Sequence, residues 1–151
     1  MYKRQVERVG VERWLSATGK SSMMDAYTIR NQRNEAVVAI ILNYRTRLES
    51  LYASDENEDV KRREKHRLIR ELKEEYARNV SGWPGYRGYK YWFSRPINNA
   101  QLLSVATYND LVPGFERLLA EHGGDLPQFY EAVRALADME KPERRAALAA
   151  E

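Results

Sequence analysis

The chain has 151 residues, enough for one domain with a substantial core, and 43% of them are apolar against 31% charged. Its 25 basic residues are nearly balanced by 22 acidic ones, for a net charge of +3, which argues against a phosphate-tracking surface as the main function. There is no cysteine, so disulfides, thiol nucleophiles and cysteine-held zinc are excluded.

At the start, Met1 to Gln5 is basic, but no apolar stretch follows it as a secretory signal would require. In VERVGVERWL (6–15), Val11, Trp14 and Leu15 recur at i, i+3, i+4, the spacing of one helix face. No capping residue precedes Val6, and Gly19 marks the stop. Ser21 or Ser22 is placed to cap a second helix, expected over about 24–53. There Val37, Ile41, Tyr44, Leu48 and Leu51 form one apolar stripe in steps of four and three. The longest apolar run, Ala36 to Leu42, lies inside it and is far short of the roughly 20 residues a bilayer crossing needs. Arg30, Arg33 and Asn34 occupy the turns where the stripe would continue toward the N-terminus. They imply either a polar contact with further structure or an exposed helix start.

After the acidic connection 55–59, a third helix is expected over about 60–80, with Leu68, Ile69, Leu72 and Tyr76 on one face. Pairing Leu48 and Leu51 with Leu68 and Leu72 makes an antiparallel helix hairpin. The basic run 61–70 is interleaved with Glu64 and followed by Glu71, Glu74 and Glu75, so a salt-bridged, solvated face accounts for it. His66 belongs to that face. The segment 81–96 (SGWPGYRGYKYWFSRP) breaks the helix with three Gly and two Pro and carries six aromatics. It reads as an ordered loop or a short β-hairpin over a small apolar cluster. A stacking platform for single-stranded nucleic acid, using Arg87 and Lys90, is the sharper alternative.

Short helices follow. Asn98 or Asn99 caps the first, around Leu102, Leu103, Val105 and Ala106. Asp110 is expected to cap the next, which carries Phe115, Leu118 and Leu119 and ends at Gly123, with His122 available as a terminal cation. Asp125 and Gln128 make a capping-box pair for a third, and Pro142 suits the first turn of a last, Ala-rich helix. The fold class is all-α: a long antiparallel helix pair, an aromatic loop or hairpin at 81–96, and several short C-terminal helices.

Three segments carry a resemblance: VERVGVERWL, the long helical pair, and PINNAQLLSVATYNDLVPGFERLLAEHGGDLPQFYEAVRALA (96–137). In the last, Asn98-Asn99-Ala100, Tyr108, the Gly123-Gly124-Asp125 turn and Phe129-Tyr130 occur in order. Together they resemble the C-terminal half of the bacterial predicted aminopeptidases, which are zincin-like metallopeptidases. The resemblance implies a parent zinc enzyme that removes N-terminal residues from peptides, with this chain as the helical lobe beside the cleft. It also implies a His-Glu-x-x-His helix and a third ligand, a Glu upstream of Val6, all in a missing N-terminal half. Here His66 and His122 belong to no such motif, so no metal ligand is assigned to this chain and none is expected to be bound by it alone. The segment 1–5 departs from the family pattern and is set aside as non-native, leaving 6–151 as one helical region of a truncated, inactive chain. Trp14 and the Val37 face are then expected to pack against upstream structure.

The resemblance also supplies site candidates. Tyr108 and Tyr89 are candidate oxyanion donors for a tetrahedral intermediate, with core packing as the competing account of Tyr108. Asn98 and Asn99 are candidate substrate-binding residues, one of them being needed only as a helix cap. Peptide substrate and the missing catalytic half are the expected partners; no specific nucleic acid is expected. The family implies a bacterial cell-envelope location. The rival function is a stand-alone helical module that binds protein or nucleic acid through the aromatic loop, and a third reading is a purely structural helical domain.

Overall fold

The computed structural model describes residues 2–149, the Ser21 side chain excepted. Met1, from the segment set aside at the start, and residues 150–151 lie outside the described residues. The fold is all-α, with α1 (Lys3–Ala17), α2 (Met24–Ala53), α3 (Glu58–Ser81), α4 (Lys90–Ser94), α5 (Asn99–Asn109), α6 (Val112–Glu121), α7 (Leu126–Asp138) and α8 (Lys141–Ala149) in order. A 3₁₀ turn, Ser21–Met23, leads into α2, and no strand occurs among the described residues. The chain gathers into two compact units: Ala26–Ala106, and the segments before and after it.

The Ala26–Ala106 unit is built on the helix hairpin. Tyr44 Oη donates to Glu75 Oε2 at 2.9 Å, and Arg47 Nη2 to Glu71 Oε2 at 3.0 Å. The partner retreats along α3 as α2 advances, so the two helices are antiparallel. Val37, Ile41, Tyr44 and Leu48 bury their stripe against Leu68 and Leu72, and Phe93, Leu102 and Val105 close the cluster. Each such aliphatic side chain contributes about 1.5–3 kcal/mol through burial. Val37 is 0% exposed, so its face is covered within its own unit and does not wait for upstream structure. The α3 N-terminus is satisfied locally: Asn57 Oδ1 accepts from the Val60 amide at 3.0 Å, with Glu58 and Asp59 in the first turn favouring the helix dipole.

Neither a β-hairpin nor a continuous loop spans 81–96. The chain makes turns through Gly85, then the single-turn helix α4. The aromatics decide this outcome. Tyr76 stacks on Phe93 with ring centres 3.8 Å apart, and Trp92 meets Phe93 edge-on at 4.7 Å. Tyr76 Oη also donates to the Gly88 carbonyl at 2.9 Å, tying the turn to α3. Trp83, Tyr86, Tyr89 and Trp92 pack directly on the main cluster of this unit, so they enlarge its core instead of forming a satellite.

The other unit centres on α6. Phe115 and Leu119 of α6 pack with Phe129 and Leu136 of α7 and Leu148 of α8, and Val6 and Val9 of α1 flank them. Gly114 permits the approach of α8: a Cβ there would lie 2.1 Å from the Leu148 carbonyl oxygen. α1 begins at Lys3, ahead of the expected Val6, and Gln5 is 1% exposed. Gln5 Nε2 donates to the Val112 carbonyl at 3.4 Å, while its Oε1 is buried without a partner. Tyr2 reaches the same cluster, 6.4 Å from the Phe115 ring centre. Trp14, by contrast, is 52% exposed, with the Lys20 amine 4.8 Å above its ring.

The ends of α1 and α6 and the start of α7 follow the expected residues; α2 instead continues directly from the 3₁₀ turn Ser21–Met23, and the start of α6 also differs. α1 closes on Gly19 (φ 68°), whose amide bonds the Ser16 carbonyl while the Lys20 amide bonds that of Leu15. α6 closes the same way on Gly123 (φ 59°), through the Ala120 and Leu119 carbonyls, with His122 at the C-cap position. Asp125 Oδ1 accepts from the Gln128 amide at 2.9 Å to open α7. Asp110 does not cap α6. The α6 cap position belongs to Leu111, with no side-chain cap, and Pro113 in the first turn removes one donor that a cap would otherwise serve.

Candidate functional site

The four site candidates fall in different surroundings. Asn98 is the α5 cap: its Oδ1 accepts from the Gln101 amide, and Gln101 Oε1 accepts from the Asn98 amide, both at 2.9 Å. This reciprocal pair accounts for Asn98 as structure. Asn99 opens α5 with an exposed side chain, and its Oδ1 accepts from Tyr52 Oη at 3.2 Å. Tyr89 is half-buried against the core at φ 60°, a left-handed conformation that is costly for a bulky residue. Tyr108 is 71% exposed, which rules out the core-packing account and leaves its phenol open to solvent.

Among the described residues, no group of three or more His, Cys, Asp or Glu stands where it can hold a metal ion. His66 is exposed on α3, and His122 terminates α6.

A built concavity lies elsewhere in the Ala26–Ala106 unit. It is a groove of about 680 Å³ between the start of α2 and the turn before α4. From α2 come Ala26, Ile29, Arg30, Arg33 and Asn34; from the turn come Pro84, Gly85, Tyr86, Arg87 and Gly88. Arg30, Arg33 and Asn34 continue the inward stripe of α2 beyond Val37, which is why they face a neighbouring segment. Tyr86 Oη donates to Asn34 Oδ1 at 2.8 Å, fixing the turn on the helix. Gly88 lies against this closure: a Cβ there would come 2.5 Å from Tyr86 Oη and 2.6 Å from Asn34 Oδ1, so one of the two side chains would have to shift. Arg33 stands 5.8 Å over the Trp83 ring, and Trp83 meets Tyr86 edge-on at 5.3 Å. Burial pushes the Tyr86 hydroxyl up to about 12, assisted by the neighbouring Tyr76 and Tyr89 and opposed by Arg33, so the phenol stays a neutral donor. Sequence reasoning reached the α2 half of this groove as an interruption in periodicity. It named Arg87 of the turn only for a nucleic-acid platform and did not join the turn to α2, because nothing local in PGYRG says which helix the turn lies on.

Two further shallow sites have mixed charge. One joins Lys61, Arg62 and Lys65 with Glu58 and Tyr52; another joins Arg47 and Arg67 with Glu56 and Glu64. Among the described residues, none that lines the arginine groove is acidic.

Comparison with known proteins adds one finding of identity. No curated protein and no solved structure matches the chain. The family described as "Putative aminopeptidase" matches residues 1–148, a span that includes the segment 1–5 set aside in the sequence reading. An all-α chain matched over nearly its whole length by that family, with Asn98, Tyr108 and the Gly123-Gly124-Asp125 turn in their expected elements, belongs to the aminopeptidase family so described.

Proposed function

We propose that the chain is a helical part of a zinc-dependent aminopeptidase, acting on peptides from the N-terminus, whose metal ligands come from residues outside this chain. The family match over residues 1–148 is the observation that carries this reading. The absence of a suitable donor set among the described residues is why the metal is assigned elsewhere. In such an enzyme the metal supplies a water of lowered pKa for attack on the peptide carbonyl. The residues of this chain bind and orient peptide beside it.

The test is expression of the parent from its full reading frame, followed by aminoacyl-amide hydrolysis with and without a chelator. Chelator-sensitive hydrolysis is expected; a parent without His-Glu-x-x-His, or with chelator-insensitive hydrolysis, overturns the zinc assignment. The same reading places the parent at the bacterial cell envelope, which fractionation tests.

Within this proposal Tyr108 is the oxyanion donor favoured over Tyr89, because its phenol is exposed while Tyr89 is packed on the core. Tyr108→Phe in the parent is expected to lower kcat by about 10²–10³ with little change in KM. An unchanged kcat in a folded, zinc-loaded variant removes Tyr108 from the chemistry.

A further inference from the structure

Three guanidinium groups share the α2 groove of the Ala26–Ala106 unit. Elsewhere in this unit some arginines meet carboxylates, Arg45 with Glu49, Arg47 with Glu71, Arg62 with Asp59, and Arg67 with both Glu64 and Glu71, while Arg63, Arg70 and Arg78 stand apart on α3. Arg30, Arg33 and Arg87 line one concavity, and among the described residues none of them forms an ion pair. Three like charges facing a shared space repel one another, and that repulsion is relieved by an anion placed between them.

The groove is also constructed, not merely open. Asn34 Oδ1 is occupied by Tyr86 Oη, which turns the Asn34 amide nitrogen into the available donor. Arg33 is held over Trp83, so less side-chain freedom is lost when it engages a ligand. Gly88 leaves room for the Tyr86–Asn34 bond that joins the two walls. Ala26, Ile29 and Pro84 add apolar surface beside the charges, which suits an anion attached to a carbon body. The volume of about 680 Å³ falls in the range of small-molecule sites, roughly 300–1,000 Å³.

We propose that this groove binds the C-terminal carboxylate of a short peptide, through Arg30, Arg33 and Arg87 with the Asn34 amide, and its neighbouring side chain against Ile29 and Pro84. The planar guanidinium fork matches a carboxylate bidentately. The choice of a peptide as the carrier of that carboxylate rests on the peptide-hydrolase reading; the choice of an anion rests on the groove alone. In this arrangement the chain holds a substrate by the end opposite the one that is cleaved.

The experiment is calorimetric titration of the full 151-residue chain with N-acetyl-leucyl-leucine, its C-terminal amide, and inorganic phosphate. Binding of the acid is expected, with the amide at least about tenfold weaker, the scale of one charge-assisted contact. Arg30→Gln and Arg87→Gln, both at exposed positions, are each expected to weaken the acid by about tenfold while leaving the melting temperature unchanged. Arg62→Gln, which lies outside the groove, should leave binding unchanged. Equal binding of acid and amide, no binding at millimolar peptide, or phosphate binding without peptide binding each overturns the proposal, as does an Arg62→Gln loss equal to that of Arg30→Gln. The acetyl group blocks aminopeptidase cleavage, so this outcome is independent of hydrolysis. A parent that fails to cleave peptides leaves the carboxylate result standing, and a groove that binds nothing leaves the zinc reading standing.

Discussion

Tyr86 shows how one residue carries both packing and site geometry. Its ring packs on Trp83 and the core cluster, and its hydroxyl holds Asn34. The hydroxyl titrates near 12 in the folded chain against 10.0 ordinarily, because burial disfavours the phenolate. The stability it contributes is therefore complete below pH 10 and is lost as pH rises through 12. Tyr44 and Tyr76 are raised in the same direction by burial, Tyr44 also by its bond to Glu75. Melting temperature is thus expected to fall between pH 10 and 12 together with growth of phenolate absorbance, and Tyr86→Phe should flatten part of that fall. A melting temperature constant across this range would show that the phenol is not held in its neutral form.

At the scale of elements, two contacts set helix positions. The Asn98–Gln101 pair satisfies two amides at the start of α5, so Asn98→Ala is expected to cost about 1 kcal/mol in denaturant unfolding. Asn99→Ala, losing one exposed bond to Tyr52, should cost no more than about 0.5 kcal/mol. A reversed order would assign the cap to Asn99. Gly114 sets the spacing of α6 and α8. Since the atom that its missing Cβ would strike is backbone, Gly114→Ala forces one helix to move and is expected to destabilise by about 1–3 kcal/mol. Chemical denaturation of the variant measures this directly; a stability equal to that of the parent sequence would mean α8 yields without cost.

For the whole molecule, the two units have separate clusters, and neither supplies a metal site among the described residues. The chain is therefore expected to retain less than stoichiometric zinc after dialysis, as measured by atomic absorption, and to show no chelator-sensitive hydrolysis. Stoichiometric zinc would require ligands that the described side chains do not bring together.

The periodicity of α2 and α3, the turns at Gly19 and Gly123 and the caps at Asn98 and Asp125 are local properties, decided within a few residues. They were accordingly legible in the sequence, the α2 bounds of Met24–Ala53 among them. The family resemblance was legible for a similar reason, since its motifs run in order along the chain. Other features depend on partners distant in sequence, and only the tertiary structure decided them. The aromatic run 81–96 becomes turns and α4 because Tyr76 and the α2–α3 core are there to receive it. Tyr108 is exposed although its segment is apolar, and Gln5 is buried although its segment is charged, because packing acts on faces and not on average composition. The groove arises from residues more than 50 positions apart, Asn34 and Tyr86, joined by one hydrogen bond that no local pattern encodes.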